Sequence, residues 1–360
     1  MAQLVFTKFL MQWYRKNSRP LPWRETSDPY KIWISEIMLQ QTTVNAVIPY
    51  YGRWISLFPS IQHVARARLQ KILKAWQGLG YYQRAKNIHK CAQIICQEYK
   101  GKMPQTAVEL RKLPGFGPYT TGAVLSIAFD KRHPIIDANV RRVVMRQLAL
   151  QGVATPAHDP AILEFLEKVM PSKGMSIFNQ ALMELGALIC RRRQPLCLTC
   201  PVRLSCKAYA QGIQEIIPQP KKSVIKNIAA VIAVIEKNGK FFIQQRDSRG
   251  LLADLWEFPG GKIENGEAPQ EALSREVREE LGVEVESAKP IMNLTHFYTQ
   301  FRVNLNVFVC WPKIYPTEDA THRWVARQNL VKYPMPSGSV KIVDYLLAQR
   351  VPGAANLVAI

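Results

Sequence analysis

Negative charge is scarce in this 360-residue chain: 27 Asp and Glu stand against 48 Lys and Arg, a formal net charge of +21. Such an excess implies a polyanionic partner, with nucleic acid the first candidate and an anionic membrane surface the second. Long apolar runs are missing as well. No segment approaches the roughly 18 residues needed to span a bilayer, so no membrane partner is expected. The first twenty residues, MAQLVFTKFLMQWYRKNSRP, are broken by Lys8 and carry no small-residue cleavage site, which excludes a signal peptide. A cytoplasmic protein is expected. Internal repeats and low-complexity tracts are also absent.

Cysteine is sparse outside one cluster. Cys91 and Cys96 fall in a helix-like segment and Cys310 in an apolar strand, and all three read as buried small hydrophobes. The other four, Cys190, Cys197, Cys200 and Cys206, lie within one short stretch. In a reducing compartment that makes a metal site rather than two disulfides.

The length predicts two domains, each able to bury a core. Residues 1–213 read as helices. SDPYKIWISEIMLQQTT offers Ser27 and Asp28 as caps with Pro29 in the first turn, and helical periods recur downstream. QEIIPQPKKSVIK, residues 214–226, reads as an extended linker. The period then changes. Two β-rich runs flank Asn238-Gly239, a hairpin signal, and a further strand pair surrounds LTHFYTQFRVNLNVFVCW. Residues 227–350 therefore read as an α+β domain closed by a helix near residues 338–349.

The cysteine spacing is C-x6-C-x2-C-x5-C. Four thiolates so placed suit tetrahedral zinc or a cubane iron–sulfur cluster, and spacing alone does not choose between them. Arg191, Arg192, Arg193 and Arg203 lie within the loop, which would present cations to phosphate. Upstream, ELRKLPGFGPYTTGAVLSIAF puts Gly115 and Gly117 between two helical patterns. Glycines there expose backbone N–H groups beside a helix N-terminus, a helix–hairpin–helix grip for one phosphate. Asp137, before the basic helix of NVRRVVMR, reads as an N-cap. Glu36 is stranger, because Ile32, Trp33, Ile34, Ile37, Met38 and Leu39 surround it. An acid so placed is partly buried, which raises its pKa and suits it to donate a proton near neutral pH.

The cysteine pattern resembles the iron–sulfur motif of the endonuclease III superfamily of base-excision DNA glycosylases. The preceding FNQALMELGALIC and the earlier SEIMLQQT are similar to the adenine-specific, MutY-type branch. The resemblance runs nearly continuously over residues 10–206. It implies a [4Fe-4S] cluster in loop 190–206 and a double-stranded DNA substrate holding adenine opposite 8-oxoguanine or guanine. It implies that Glu36 is the catalytic acid and that Asp137 stabilises the sugar cation, with Tyr119 and Asn139 in support. Arg19, Arg24, Leu39 and Gln180 would line the adenine pocket. Gln41, Thr42, Tyr81, Gly115 and Gly117 would contact DNA or the lesion. Strand-cutting relatives carry a nucleophilic lysine where Tyr119 stands, so the resemblance implies a monofunctional enzyme. A bacterial, nucleoid-associated monomer is expected.

GGKIENGEAPQEALSREVREELGV, residues 260–283, fits the Nudix box G-x5-E-x7-R-E-U-x-E-E-x-G-U (U, a bulky apolar residue) without a missing residue. Glu276, Glu279 and Glu280 fall on one helix face, and clustered carboxylates of this kind bind Mg²⁺. MutY-type enzymes end in a Nudix-like domain that recognises 8-oxoguanine. This chain departs from them by keeping the full glutamate set, and again at HFYTQ, where Thr299 stands for a lesion-contacting serine and Gln300 for a histidine. Two alternatives stand beside the glycosylase: a bifunctional protein whose Nudix domain also hydrolyses oxidised nucleoside triphosphates, and a non-catalytic DNA-damage binder.

Overall fold

The structure, a computed structural model, describes residues 2–220, 225–298 and 301–349. They fall into two compact units, Met1–Ala67 with Asn87–Lys222 and Arg68–Lys86 with Ser223–Ile360. The stretch Arg68–Lys86 reads from the sequence as part of the helical half, yet it groups with the second unit. Its helix Leu69–Trp76 carries Ile72, Leu73 and Trp76 on one face, and such a face must be covered by something. No helix among the described residues is long and apolar enough to cross a membrane.

The first unit is helical. Its N-terminal helix Ala2–Asn17 packs on Met175–Leu188, which packs in turn on the basic helix Ala138–Leu148, around a core that includes Leu10, Val144, Phe178 and Leu185. The helix Pro29–Leu39 starts as its sequence dictates: Asp28 accepts a hydrogen bond from the Tyr30 amide at 2.9 Å, and Pro29 takes the first turn. The glycine-rich turn leads into helix Pro118–Ala123, which continues as a π-helix over Val124–Ala128. Residues 214–220, expected to begin an extended interdomain linker, are docked on this unit. Ile217 is buried, its carbonyl accepts from Arg146 Nε at 2.7 Å, and the Gln219 amide donates to Gly152 O. Ile217, just ahead of Pro218, is the one of the two adjacent isoleucines that is buried, and it anchors the segment.

The second unit holds a six-stranded sheet of β1 (Lys226–Lys237), β2 (Lys240–Gln245), β3 (Trp256–Glu257), β4 (Val285–Tyr298), β5 (Phe301–Pro312) and β6 (His322–Ala326). The order is β3-β2-β1-β5-β4, with β6 also paired to β2. Only β1 and β5 run parallel; β1 and β2 turn at Asn238 and Gly239, both with positive φ as a tight hairpin requires. Helix Pro269–Leu281 covers one face through Ala272, Leu273 and Val277 against Val231, Ala233 and Ile235. Helix Ser337–Ala348 covers the other through Ile342, Val343 and Leu346 against Val234, Phe241 and Ile243. Both faces of β1 are thus buried, which is why it reads as a continuous apolar run.

Two glycines fix how the loop before the glutamate helix lies on the sheet. A Cβ on Gly260, whose φ is +138°, would fall 2.2 Å from the Val231 carbonyl, whereas the nearest atoms to one on Gly261 belong to the side-chain carboxylate of Glu276 rather than to backbone. Gly260→Ala is therefore expected to destabilise the second unit by about 1–3 kcal/mol. Gly261→Ala should cost less. Urea midpoints of the two variants check the order.

Candidate active site

The site grows from three short elements of the first unit. Helix Pro29–Leu39 is apolar almost all round and turns Glu36 into the protein, where it is 4% exposed. Tyr119, in the first turn of the helix after the glycine loop, donates its hydroxyl to Glu36 Oε2 at 2.5 Å and also meets Met183 Sδ at 3.8 Å. Asp137 caps helix Ala138–Leu148: its Oδ1 accepts from the Val140 amide at 2.6 Å and its Oδ2 from Asn139 Nδ2 at 2.8 Å. All three line one pocket of about 600 Å³, together with Asn139, Arg19, Arg24, Leu39, Gln180, Gln41 and Thr42.

The pocket's electrostatics are set by desolvation. Burial pushes Glu36 up from 4.5 to about 7; the Tyr119 hydrogen bond pulls it down, and the nearby Asp137 charge adds to the rise. Asp137 is also raised by burial, against which its hydrogen bonds from Val140 and Asn139 work. Burial drives the Tyr119 phenol well above its ordinary value, so it stays a donor. Glu36 therefore carries a proton near neutral pH, while Asp137 is better placed to hold its charge.

Several residues here were not singled out in the sequence. Glu184 is buried, and burial alone would raise it, yet Arg19 and Arg24 outweigh that and hold it at about 2. Arg19 Nη2 and Arg24 Nη2 both reach Glu184 Oε2, at 2.7 and 2.8 Å. Its signal was present in FNQALMELGALIC: a lone acid in an apolar helix, the same pattern that exposed Glu36. Arg142 is the second. Its guanidinium joins Asn139 Oδ1 at 2.9 Å, Gly186 O at 2.7 Å and Cys190 O at 2.8 Å, tying the support of Asp137 to the first cysteine of the cluster. No sequence pattern separates it from its basic neighbours. Gly186 is needed because a Cβ there would lie 2.5 Å from Asn139 Cβ.

Of the expected residues still to be placed, Gln41 lines this pocket at its edge and the rest lie apart from it. Gly115 has φ +83° and Gly117 caps the following helix, so the turn between them has the conformation the glycines were expected to permit. Gln41 has φ 59° and Tyr81, in the second unit, φ 48°; both are exposed, in a backbone region costly for residues with a Cβ. Cys190, Cys197, Cys200 and Cys206 are free thiols lining one small pocket with Arg146, while Cys91 and Cys310 are buried and Cys96 half-buried. Thr299 and Gln300 lie outside the described residues.

On the glutamate helix, Arg275 answers the crowded carboxylates. It binds Glu267 at 2.8 Å, Glu276 at 2.9 Å and Glu279 at 3.3 Å, and its Nη2 donates to Lys262 O. Glu280 accepts from the Gly260 amide at 2.8 Å and Gln244 Nε2 at 2.7 Å. Glu257, a carboxylate outside the box, is raised by burial despite Arg246, with Glu280 adding to the rise. Among the described residues no group of three His, Cys, Asp or Glu is drawn together as a single metal ion requires.

Residues 34–169 match the HhH-GPD superfamily base excision DNA repair protein family and residues 230–345 the NUDIX domain family. The adenine DNA glycosylase of Buchnera aphidicola subsp. Schizaphis graminum (strain Sg) is 34% identical over 354 residues, spanning 96% of this chain and 99% of that protein. The Homo sapiens adenine DNA glycosylase is 31% identical over 362 residues, spanning 84% of this chain and 66% of that one. Among solved structures, a thermostable thymine-DNA glycosylase superposes with a TM-score of 0.53 at 29% identity, covering 58% of this chain and 97% of its own.

The raised Glu36 has a consequence for stability. A folded-state pKa of about 7 against 4.5 means that the folded protein holds a proton which unfolding releases, so stability falls as pH rises from about 4.5 to about 7. Glu36→Gln removes the ionisation. The variant should gain on the order of 3 kcal/mol over the wild type at pH 8 and little at pH 4.5, as read from urea unfolding at the two pH values.

Proposed function

The chain belongs to the adenine DNA glycosylases, DNA N-glycosylases of base-excision repair, and on that premise we propose that it removes adenine paired with 8-oxoguanine or guanine in duplex DNA and leaves the strand intact. One observation carries the reading: a carboxyl kept protonated by burial, Glu36, shares a pocket with a hydrogen-bonded, capping carboxylate, Asp137.

The chemistry follows from the two acids. The target adenine leaves the base stack and enters the pocket. Tyr119 occupies Glu36 Oε2, so the transferable proton sits on Oε1. Glu36 gives that proton to adenine N7, and the electrons of the glycosidic bond leave with the base. Positive charge develops on the sugar, where Asp137 stabilises it electrostatically or as a transient covalent adduct. Glu36, now a carboxylate, takes a proton from the incoming water, the division of labour used by glycosidase carboxylate pairs. Tyr119 offers a phenol and no amine, so no Schiff base forms with the sugar. Arg19 and Arg24, pinned by Glu184, and Leu39 and Gln180 shape the base site.

For DNA, the turn at Gly115 and Gly117 holds one phosphate, and Gln41, Thr42 and Tyr81 are each contacts to DNA or the lesion. Their left-handed backbone at Gln41 and Tyr81 supports this, since such strain gathers at functional sites. The second unit, Thr299 included, reads the oxidised base. The enzyme acts as a monomer.

The four thiols suit a [4Fe-4S] cluster, whose part would be to hold the basic loop rigid for docking on phosphate. A cubane is wider than a lone ion, so its ligands stand further apart, in keeping with cysteines that line one pocket without closing on a single metal position. Buried Arg146, hydrogen-bonded to Cys190 Sγ at 3.3 Å, has no carboxylate partner among the described residues, and thiolates would supply its counter-charge.

A second reading concerns the Nudix helix. Glu257 and Glu280 repel each other in a partly dry site with Arg246 as the nearby cation, a conflict that a divalent cation would relieve. Glu276, Glu279 and Glu280 with Glu257 would hold Mg²⁺, and the same domain would hydrolyse oxidised nucleoside triphosphates. Incubation with Mg²⁺ and 8-oxo-dGTP should yield pyrophosphate above the background of Glu279→Gln; equal release by both ends this reading and leaves the glycosylase untouched.

The glycosylase reading expects free adenine from duplexes carrying 8-oxoguanine or guanine opposite it, fastest with the oxidised partner and slowest with cytosine. Single-turnover rates should fall as pH rises through about 7, where Glu36 loses its proton, and fall again at low pH as Asp137 gains one. Glu36→Gln should lose roughly 10²–10⁴-fold in rate. No DNA adduct should be trapped by borohydride. Mismatch binding without adenine release would favour a non-catalytic damage binder.

A further inference from the structure

The reaction described above uses Glu36 and Asp137, and the base site it needs is walled by Gln180 and Glu184, one helical turn apart on Met175–Leu188. An amide such as Gln180 is ambiguous by nature: it can offer a base either its carbonyl or its N–H. What decides between them lies behind the pocket wall, on the N-terminal helix. Tyr14, 8% exposed and not itself lining the pocket, donates its hydroxyl to Gln180 Oε1 at 3.2 Å. On the other side, Gln180 Nε2 donates to Ser176 Oγ at 3.1 Å. The Arg24 guanidinium lies over the Tyr14 ring, its carbon 5.4 Å from the centroid, while the same guanidinium binds Glu184 through both nitrogens.

We propose that Tyr14 is a positioning residue for base specificity: it locks the Gln180 amide with its oxygen turned away, so that the pocket presents an N–H to the base. The direction of the Tyr14 hydrogen bond follows from its chemistry. A phenol is a better donor and a poorer acceptor than an alcohol, and a cation over its ring strengthens both tendencies. The serine hydroxyl at the other end then takes the accepting role. With its oxygen engaged by Tyr14 and one N–H by Ser176, Gln180 retains one N–H for a ligand. That N–H requires an acceptor. Adenine N7 is reserved for the Glu36 proton, and N3 lies beside the sugar, which leaves N1 at the far end of the ring. In adenine N1 is an acceptor; in the 6-oxopurines hypoxanthine and guanine it carries a hydrogen and would face Gln180 donor to donor. Rejection of 6-oxopurines is thus assigned to a residue that never touches the base. This inference rests on the reading of the pocket as the adenine site.

The test measures single-turnover base release from duplexes holding adenine, purine or hypoxanthine opposite 8-oxoguanine, with wild type and Tyr14→Phe. Phenylalanine keeps the ring under Arg24 and removes only the hydroxyl. Purine, which keeps the N1 acceptor and lacks the amino group, should behave like adenine in both proteins. Loss of one hydrogen bond should slow adenine about fivefold in the variant, while hypoxanthine release holds or rises, so the adenine-to-hypoxanthine ratio falls. Ser176→Ala, which frees the other end of the amide, should move the ratio the same way and keeps the test valid if Tyr14→Phe folds poorly. A ratio within twofold of wild type in both variants, or an equal slowing of all three bases, overturns the proposal, because a merely structural role would do that. A wild type that releases no adenine would instead strike the reading of the pocket itself.

Discussion

A carboxyl group kept out of water is the constraint on which the rest of this molecule depends. Glu36 sits in a helix whose other faces are apolar, and packing around Ile32, Trp33, Ile34 and Met38 leaves it little solvent. Burying an ionisable group costs free energy unless the group is paired or neutral. Here it is kept neutral, with a single hydroxyl, that of Tyr119, donating to it. The cost is an investment in chemistry, since a surface glutamate would have lost its proton long before neutral pH. Asp137 faces the same burial with a different answer, a backbone amide and an asparagine that stabilise its charge. The two carboxylates of one pocket are thereby treated differently by their surroundings: Glu36 is pushed up to about 7, while the rise that burial imposes on Asp137 is opposed by hydrogen bonds to its charged form.

The supports of that pair reach outward in layers. Asn139 is held by Arg142, and Arg142 by carbonyls that include that of Cys190. The cysteine loop is therefore connected to Asp137 through two side chains. On the opposite wall, Glu184 gathers Arg19 and Arg24, and Tyr14 ties Arg24 to Gln180. The glutamate helix of the second unit shows a different solution to crowded charge. Arg275 spans Glu267, Glu276 and Glu279, so much of the repulsion that the sequence advertises is answered within the chain, while Glu257 is met by Arg246 and Glu280 by Gln244 and the Gly260 amide.

How much of this was legible follows from where each signal resides. Glu36 stood out because an acid among six apolar neighbours has no solvated explanation, and the Asp28 cap and the Asn238-Gly239 turn are written in local residue chemistry. Glu184 bore the same mark as Glu36 but was passed over, because its role appears only when two arginines more than 150 residues away in sequence fold onto it. Arg142 and Tyr14 carry no local signal. An arginine in a basic helix and a tyrosine in an amphipathic one become specific only through their partners. Residues 214–220 misled for the converse reason: prolines and lysines suggest an open tether, and one isoleucine outweighs them by finding a core. The grouping of Arg68–Lys86 with the second unit was likewise illegible, since an apolar helical face does not say what will cover it.

The protonation state of Glu36 is the claim that everything else presupposes, and it is open to direct measurement. Infrared difference spectra of wild type minus Glu36→Gln, recorded between pH 5 and pH 9, isolate the stretch of this one carboxyl. The account expects a protonated carboxylic acid band at pH 5 that gives way to carboxylate with a midpoint near 7. A carboxylate band across the whole range would contradict it, because an ionised Glu36 has no proton to give the base.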